Sequence, residues 1–295
     1  MSDLGMMHYF LGIEVVQSTN GIFISQKKYV QDILDKFRMK DCNPVSTPTE
    51  FGLKLNKDHE GKKVDSTRYK QIVGSLMYLT ATRPDIMYYV SLISRYMENP
   101  THLLAAKRIL RYLQGTRDFG LFYKKGEKLE LFRFTNSDYA GDQDDRRSTS
   151  GYVFMLGTGA VSWSSKKQPI VTLSATEAKF IAATACACQA IWLGSILEEL
   201  QFKQDEATIV FCDNNSAIKL ANNPVLHGRS RLIDVKYYFL RDLSNDGTIK
   251  LVYCRSEDQV TDIQTKPLKL ATFVKLCGLL GVWSRAAVKE DFAEG

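Results

Sequence analysis

Apolar residues dominate Phe10 to Val16 and again Ile22 to Ser25, with Ser18 to Gly21 between them. Short apolar runs rich in β-branched and aromatic residues on either side of a glycine-containing gap predict strand, turn, strand. The spacing then lengthens to three and four over Gln26 to Phe37, which predicts a helix. Between Asp41 and Ser66 the chain turns polar, with Pro44, Pro48 and the run Asn56 to Lys63, and reads as a loop or linker. Helical spacing returns over Thr67 to Thr80, Pro84 to Met97 and Pro100 to Leu113, the last stretch basic and ending at Gly115.

After Gly120 short β runs take over, at Leu121 to Tyr123, Leu129 to Asn136, Ser150 to Leu156 and Ala160 to Ser165. A long helix is predicted from Ser174 to Leu200, a strand at Thr208 to Cys212, helices at Asn214 to Asn222 and Arg229 to Leu243, a strand at Ile249 to Cys254, and a last helical segment from Gln259 onward. This order predicts an α/β fold with a mixed sheet, preceded by a helix-rich region. With 295 residues, two domains are expected, at 1–120 and 121–285, with a tail at 286–295.

Composition changes this picture little. With 44% hydrophobic, 11% aromatic and 24% charged residues the chain has the make-up of an ordinary globular protein able to bury a core. A net charge of +6 suits a polyanionic partner without requiring one. The six cysteines form no CxxC pair and no Cys/His cluster at zinc spacing, so reduced core thiols are expected. The opening MSDLGMMHYFLGIEVV lacks the pattern of a secretory signal, and no eighteen consecutive residues are apolar, so an intracellular protein without a membrane span is expected. The abrupt start, close before a hydrophobic strand, suggests a piece of something longer, and exposed apolar surface with poor solubility is expected to follow.

Several long stretches carry a resemblance that covers nearly the whole chain. HYFLGIEV at His8 to Val15 and GIFISQKKYVQDIL at Gly21 to Leu34 resemble the end of a reverse transcriptase palm in copia-type retrotransposon Pol polyproteins. YKQIVGSLMYLTATRPDI from Tyr69 and AAKRILRYLQGT from Ala105 resemble the helical connection beyond it. SDYAGDQDDRRSTSGYVF from Ser137, LSATEAKF from Leu173, CDNNSAI from Cys212, HGRSRLIDVKYYFLR from His227 and DQVTDIQTKPL from Asp258 are similar to that family's ribonuclease H module. The resemblance implies a ribonuclease H-like five-stranded mixed sheet with flanking helices after a partial palm and connection region. The family's Tyr-x-Asp-Asp polymerase motif is absent from this chain, so no polymerase active site is expected.

Ribonuclease H chemistry, as the resemblance implies it, cleaves the RNA strand of an RNA:DNA hybrid with two Mg2+ or Mn2+ ions about 3.5–4 Å apart. Such hard cations require oxygen ligands, supplied in the family by four acids from different elements. Two of the four positions fall on Asp213, after a strand, and Asp262, in the opening turn of the last helix; read alone, they could equally be a helix cap and a first-turn acid. The other two fall on Asn136, where the family has Asp, and Lys179, where it has Glu. An uncharged amide is a weak ligand and an ammonium is none. Asp138 is a conceivable substitute on the same strand face, whereas Glu177 lies about 200° round the helix from Lys179. Tyr139 stands where the family usually has Trp, and Leu232 and Tyr238 where it usually has His.

The resemblance therefore implies a ribonuclease H that is weak or inactive. The alternative is a non-catalytic binder of hybrid or other nucleic acid, recognising backbone and shape. Candidate contacts are Arg146, Arg147, Lys166, Lys167, Arg229 and Arg231, with Lys107, Arg108 and Arg111 on the basic helix; each could equally be a solvated surface charge. The polymerase portion of a Pol protein is a second candidate partner. A reading of another class comes from RILR at Arg108 to Arg111, which resembles the RxLR signature of secreted oomycete effectors.

Overall fold

A computed structural model describes residues 6–57, 65–97, 102–127, 131–202, 207–222 and 231–290, the side chains of 231–237 and 289–290 excepted. In chain order the elements are β1 (Tyr9–Phe10), β2 (Ile13–Ser18), β3 (Gly21–Ser25), α1 (Lys27–Lys36), α2 (Ser66–Leu79), α3 (Met87–Ser94), α4 (Leu103–Gly115), β4 (Phe119–Lys124), β5 (Leu131–Ser137), β6 (Thr149–Leu156) and β7 (Gly159–Lys167). They continue with α5 (Ala175–Glu199), β8 (Thr208–Cys212), α6 (Asn215–Asn222), α7 (Arg231–Asn245), β9 (Ile249–Tyr253), α8 (Leu270–Leu279), β10 (Val282–Ser284) and α9 (Arg285–Glu290). The chain divides into two compact units. The first comprises Met1–Glu130, Met155–Val161 and Pro267–Gly295, the second Leu131–Phe154 and Ser162–Lys266.

The first unit carries the antiparallel sheet β1-β2-β3-β4-β10. The single strand expected over Phe10 to Val16 folds back on itself, because Leu11 and Gly12 both take positive φ (45° and 75°) and form a two-residue hairpin turn with Phe10 opposite Ile13. A turn with two positive φ values matches the right-handed twist of its flanking strands, and glycine tolerates it without strain. β4 joins this sheet between β3 and β10 rather than the later one, so the first unit takes in the run at Leu121 to Tyr123 and everything after Pro267. The contiguous boundaries 1–120, 121–285 and 286–295 do not coincide with that division. Strand pairing between β4 and β10, which spans more than 150 residues of chain, has no local signature.

Helices α2, α3 and α4 contact one another and bury Tyr69, Ile72, Leu76, Ile109 and Leu113. Beneath them lies a closed polar cluster. Arg83 Nε and Nη2 donate to the two carboxylate oxygens of Asp85 at 2.9 and 2.7 Å, Arg83 Nη1 to the Thr116 carbonyl at 2.9 Å, and Tyr112 OH to Asp85 Oδ2 at 2.7 Å. Arg83 is 1% exposed and Asp85 not at all.

The second unit carries the sheet β7-β6-β5-β8-β9. β6 and β7 form a hairpin around Gly157 and Thr158, while β5, β8 and β9 run parallel. The α/β class, the mixed five-stranded sheet and its flanking helices are those expected of a ribonuclease H-like domain. α5 packs on β5 and β8 and against α6 and α7, burying Ala178, Phe180, Ala183 and Ala187. Its length and composition also meet those of a membrane-crossing helix, which a count of consecutive apolar residues missed; the buried face supplies a packing reason for that composition. The helical segment expected from Gln259 begins as 3-10 turns at Ser256–Asp258 and Val260–Gln264, and α-helix resumes only at Leu270. Pro267 lacks an N–H and disfavours helical geometry at Lys266, which ends the turn.

Candidate functional site

The site grows from two strand ends. Phe134 of β5 stands opposite Phe211 of β8, their rings stacked at 5.1 Å, and the parallel register carries Asn136 and Asp213 to neighbouring ends. The carboxyl ends of parallel strands are where α/β sheets place ligands. Asp213 does not cap the helix that follows: Asn214 does, accepting from the Ala217 N–H at 2.8 Å.

Asp262 is brought to β5 by its 3-10 turn. Gln259 anchors that turn, donating from Nε2 to the Thr135 carbonyl at 3.1 Å and accepting from Thr261 N–H at 3.3 Å. The turn also lies close to Gly151 of β6, where an added Cβ would stand 2.7 Å from the Gln264 Cβ. Neither Gln259 nor Gly151 is visible as a site residue in the sequence, because their partners are distant along the chain.

Each carboxylate is already met by a polar partner. Lys179 Nζ lies 2.6 Å from Asp213 Oδ1, with side chains 16% and 8% exposed. Asn136, buried in β5, donates from Nδ2 to Asp262 Oδ1 at 2.6 Å, and its own Oδ1 accepts from Ser137 N–H at 2.8 Å. Lys266 Nζ lies 2.8 Å from Asp262 Oδ2. Lys266 was missed from sequence, although four-residue spacing from Asp262 is a legible signal for such a pair. Burial pushes the Asp262 carboxyl above its ordinary value, opposed by the Lys266 ammonium and aided by the charge of Asp213.

The remaining acids are occupied elsewhere. β5 ends at Ser137, so Asp138 does not continue its face; its carboxylate instead accepts from Thr149 N–H. Glu177 accepts from Leu173 N–H at 2.7 Å while the Glu177 N–H donates to Ser174 Oγ at 3.2 Å, a reciprocal cap at the start of α5. A pair of divalent ions would need several free anionic oxygens. Three of the four carboxylate oxygens of Asp213 and Asp262 already face Lys179, Asn136 and Lys266. Among the described residues no three His, Cys, Asp or Glu side chains converge as a metal group would require. As it stands, the donor set does not fit the Mg2+ or Mn2+ pair that the resemblance implies.

The basic candidates separate into two kinds. Lys167 is held by Asp142 and Asp145 at 2.8 and 2.7 Å, and Arg147 by Asp145 at 3.6 Å. Arg146, with φ 57°, and Lys166 are exposed. Arg229 lies outside the described residues, and Arg231 opens α7. Lys107 is half-buried on α4. In the RILR stretch Arg108 pairs with Glu50 at 3.0 Å and Arg111 donates to the Asn43 carbonyl at 2.8 Å, while Ile109 and Leu110 are core residues. That tetrapeptide is part of a packed helix. Tyr139 is exposed and bonds the Leu173 carbonyl at 3.2 Å, and Tyr238 lies under the Arg241 guanidinium at 4.7 Å; the Leu232 side chain lies outside the described residues.

Comparison with known proteins places these observations in context. A family model described as reverse transcriptase (RNA-dependent DNA polymerase) matches residues 1–51. The chain is 42% identical over 284 residues to the retrovirus-related Pol polyprotein from transposon RE1 of Arabidopsis thaliana, covering 96% of this chain and 19% of that protein. It thus spans about a fifth of that curated relative. It is also 44% identical over 128 residues to secreted RxLR effector protein 161 of Plasmopara viticola, covering 42% of this chain and 90% of that one. Among solved structures, LC11-RNase H1 in complex with RNA/DNA hybrid aligns with TM-score 0.35 and 13% identity, over 46% of this chain and 94% of that chain.

Proposed function

Because this chain belongs to the copia-type retrotransposon Pol family, we propose that its ribonuclease H-like unit binds nucleic acid duplex, an RNA:DNA hybrid first of all, without cutting it efficiently. The observation that carries this reading is the Lys179–Asp213 ion pair at 2.6 Å, which sets an ammonium where the family has a carboxylate. Two unit charges about 4 Å apart interact by about 4 kcal/mol at an effective dielectric near 20. Exchanging attraction for repulsion toward a divalent ion therefore lowers turnover by more than about tenfold even if half of that is felt. Asn136 deepens the loss, since it donates to Asp262 and turns its oxygen to the backbone. Backbone-directed binding needs only cations at the surface, and Arg146 and Lys166 are exposed for it. For the first unit, a Pol polymerase region is the proposed partner.

The test is cleavage of a labelled RNA:DNA hybrid with Mg2+ or Mn2+. The unaltered chain is compared with Asn136→Asp/Lys179→Glu and with that double reversion carrying Asp213→Asn. Cleavage by the double reversion alone is the expected result. Equal cleavage by the unaltered chain would show that the lost acids have been misassigned.

A further inference from the structure

We infer that Lys179 and Lys266 serve as built-in counter-ions at the strand-end carboxylates, so that this unit folds without divalent metal and is closed to it. This rests on the proposed reading of Asn136, Lys179, Asp213 and Asp262 as the family's four site positions.

Charge balance carries the argument. Four carboxylates at one site need four positive charges, which two divalent ions supply. Here two carboxylates remain, and each is paired with an ammonium group, at 2.6 Å from Asp213 and 2.8 Å from Asp262. Carboxylates already paired with ammonium groups offer an incoming cation far less attraction than free ones would. Ligand geometry points the same way. The Asn136 amide presents its N–H to Asp262 and its oxygen to Ser137, so an ion would have to turn the amide over as well as expel both lysines. Dehydrating Mg2+ is already unfavourable, and these displacements add to that. Unlike bound metal, a tethered lysine is present at every metal concentration and is not removed by a chelator.

The experiment titrates the full chain with Mn2+ by electron paramagnetic resonance and follows its melting in EDTA and in about 10 mM Mg2+. The unaltered chain is expected to retain Mn2+ free in solution and to melt at the same temperature in both buffers. Asn136→Asp/Lys179→Glu is expected to bind Mn2+, to lose that binding when Asp213→Asn is added, and to melt about 5–10 °C higher at a hundredfold excess of metal over its dissociation constant. Mn2+ binding by the unaltered chain that Asp213→Asn abolishes would overturn the counter-ion role while leaving the site assignment intact. Failure of the folded double reversion to bind Mn2+ would instead overturn the assignment, and this inference with it. Should the reverted protein not fold, the unaltered chain and its Asp213→Asn variant decide the matter alone.

Discussion

Arg83 in the first unit and Lys179 in the second are both cations held against an aspartate, and they differ in how completely that aspartate is used. Arg83 meets both oxygens of Asp85 with a planar fork, Tyr112 adds a third donor, and Thr116 takes the rest of the guanidinium. Lys179 touches one oxygen of Asp213 as a point charge at a strand end. A guanidinium suits a closed, fully hydrogen-bonded burial; an ammonium on a flexible stem suits a place that a smaller ion could occupy. The first cluster reads as architecture, the second as a ligand site held by a side chain.

That contrast can be broken most forcefully at Arg83. Arg83→Ala leaves Asp85 buried without its partner and should cost about 3–5 kcal/mol, read from urea unfolding of the full chain. Divalent metal should restore none of it. Lys179→Ala should cost less, about 1.5–3 kcal/mol on the same scale, since Asp213 loses a single charged hydrogen bond where Asp85 would lose two. If Lys179→Ala proved as damaging as Arg83→Ala, the distinction between the two clusters would fall. Gly151→Ala tests the support of Asp262 from behind. Its Cβ would meet Gln264 at 2.7 Å, and overpacking of this kind costs about 1–3 kcal/mol. A crystal structure of that variant should show the Asp262 turn displaced from β5.

The smallest effect is one of acid. Lys167 and the backbone N–H groups of Asp144 and Asp145 outweigh burial and hold the Asp142 carboxyl below its ordinary value. A depressed carboxylate contributes stability above its unfolded value, near pH 4, and loses it as pH falls through the folded value. Lys167→Ala should therefore flatten the acid limb of a stability–pH curve below about pH 4. Asp262, displaced upward, works in the opposite sense: its contribution is present at low pH and lost as pH rises through the folded value.

Local pattern was enough for most elements of both units. The apolar run Thr208 to Cys212 forms a strand whose observed ends match the expected ones, and the long helix expected from Ser174 to Leu200 is found as the 25-residue α5. What failed was long-range. The placement of β4 beside β10, and the stop imposed on Asp262's turn by Pro267, depend on partners or restrictions that a periodicity does not register. At the site, matched blocks singled out Asn136, Lys179, Asp213 and Asp262, and the structure brings them into two contacting pairs. Asp138 falls one residue past the end of β5, where its carboxylate accepts from the Thr149 N–H. Lys266 was within reach of a spacing argument; Gln259 was not, since nothing near it names Thr135 as its partner.

The bonds Asn136–Asp262 and Gln259–Thr135 join positions 126 and 124 residues apart. Closing loops of that length is entropically unfavourable and yields no contact until it is done, so such links form late on a folding route. Interactions absent from the transition state govern the rate of unfolding rather than of folding. Removing the Asn136–Asp262 and Gln259–Thr135 links is therefore expected to speed unfolding of the finished domain more than it slows folding, as stopped-flow unfolding and refolding of Gln259→Ala would show.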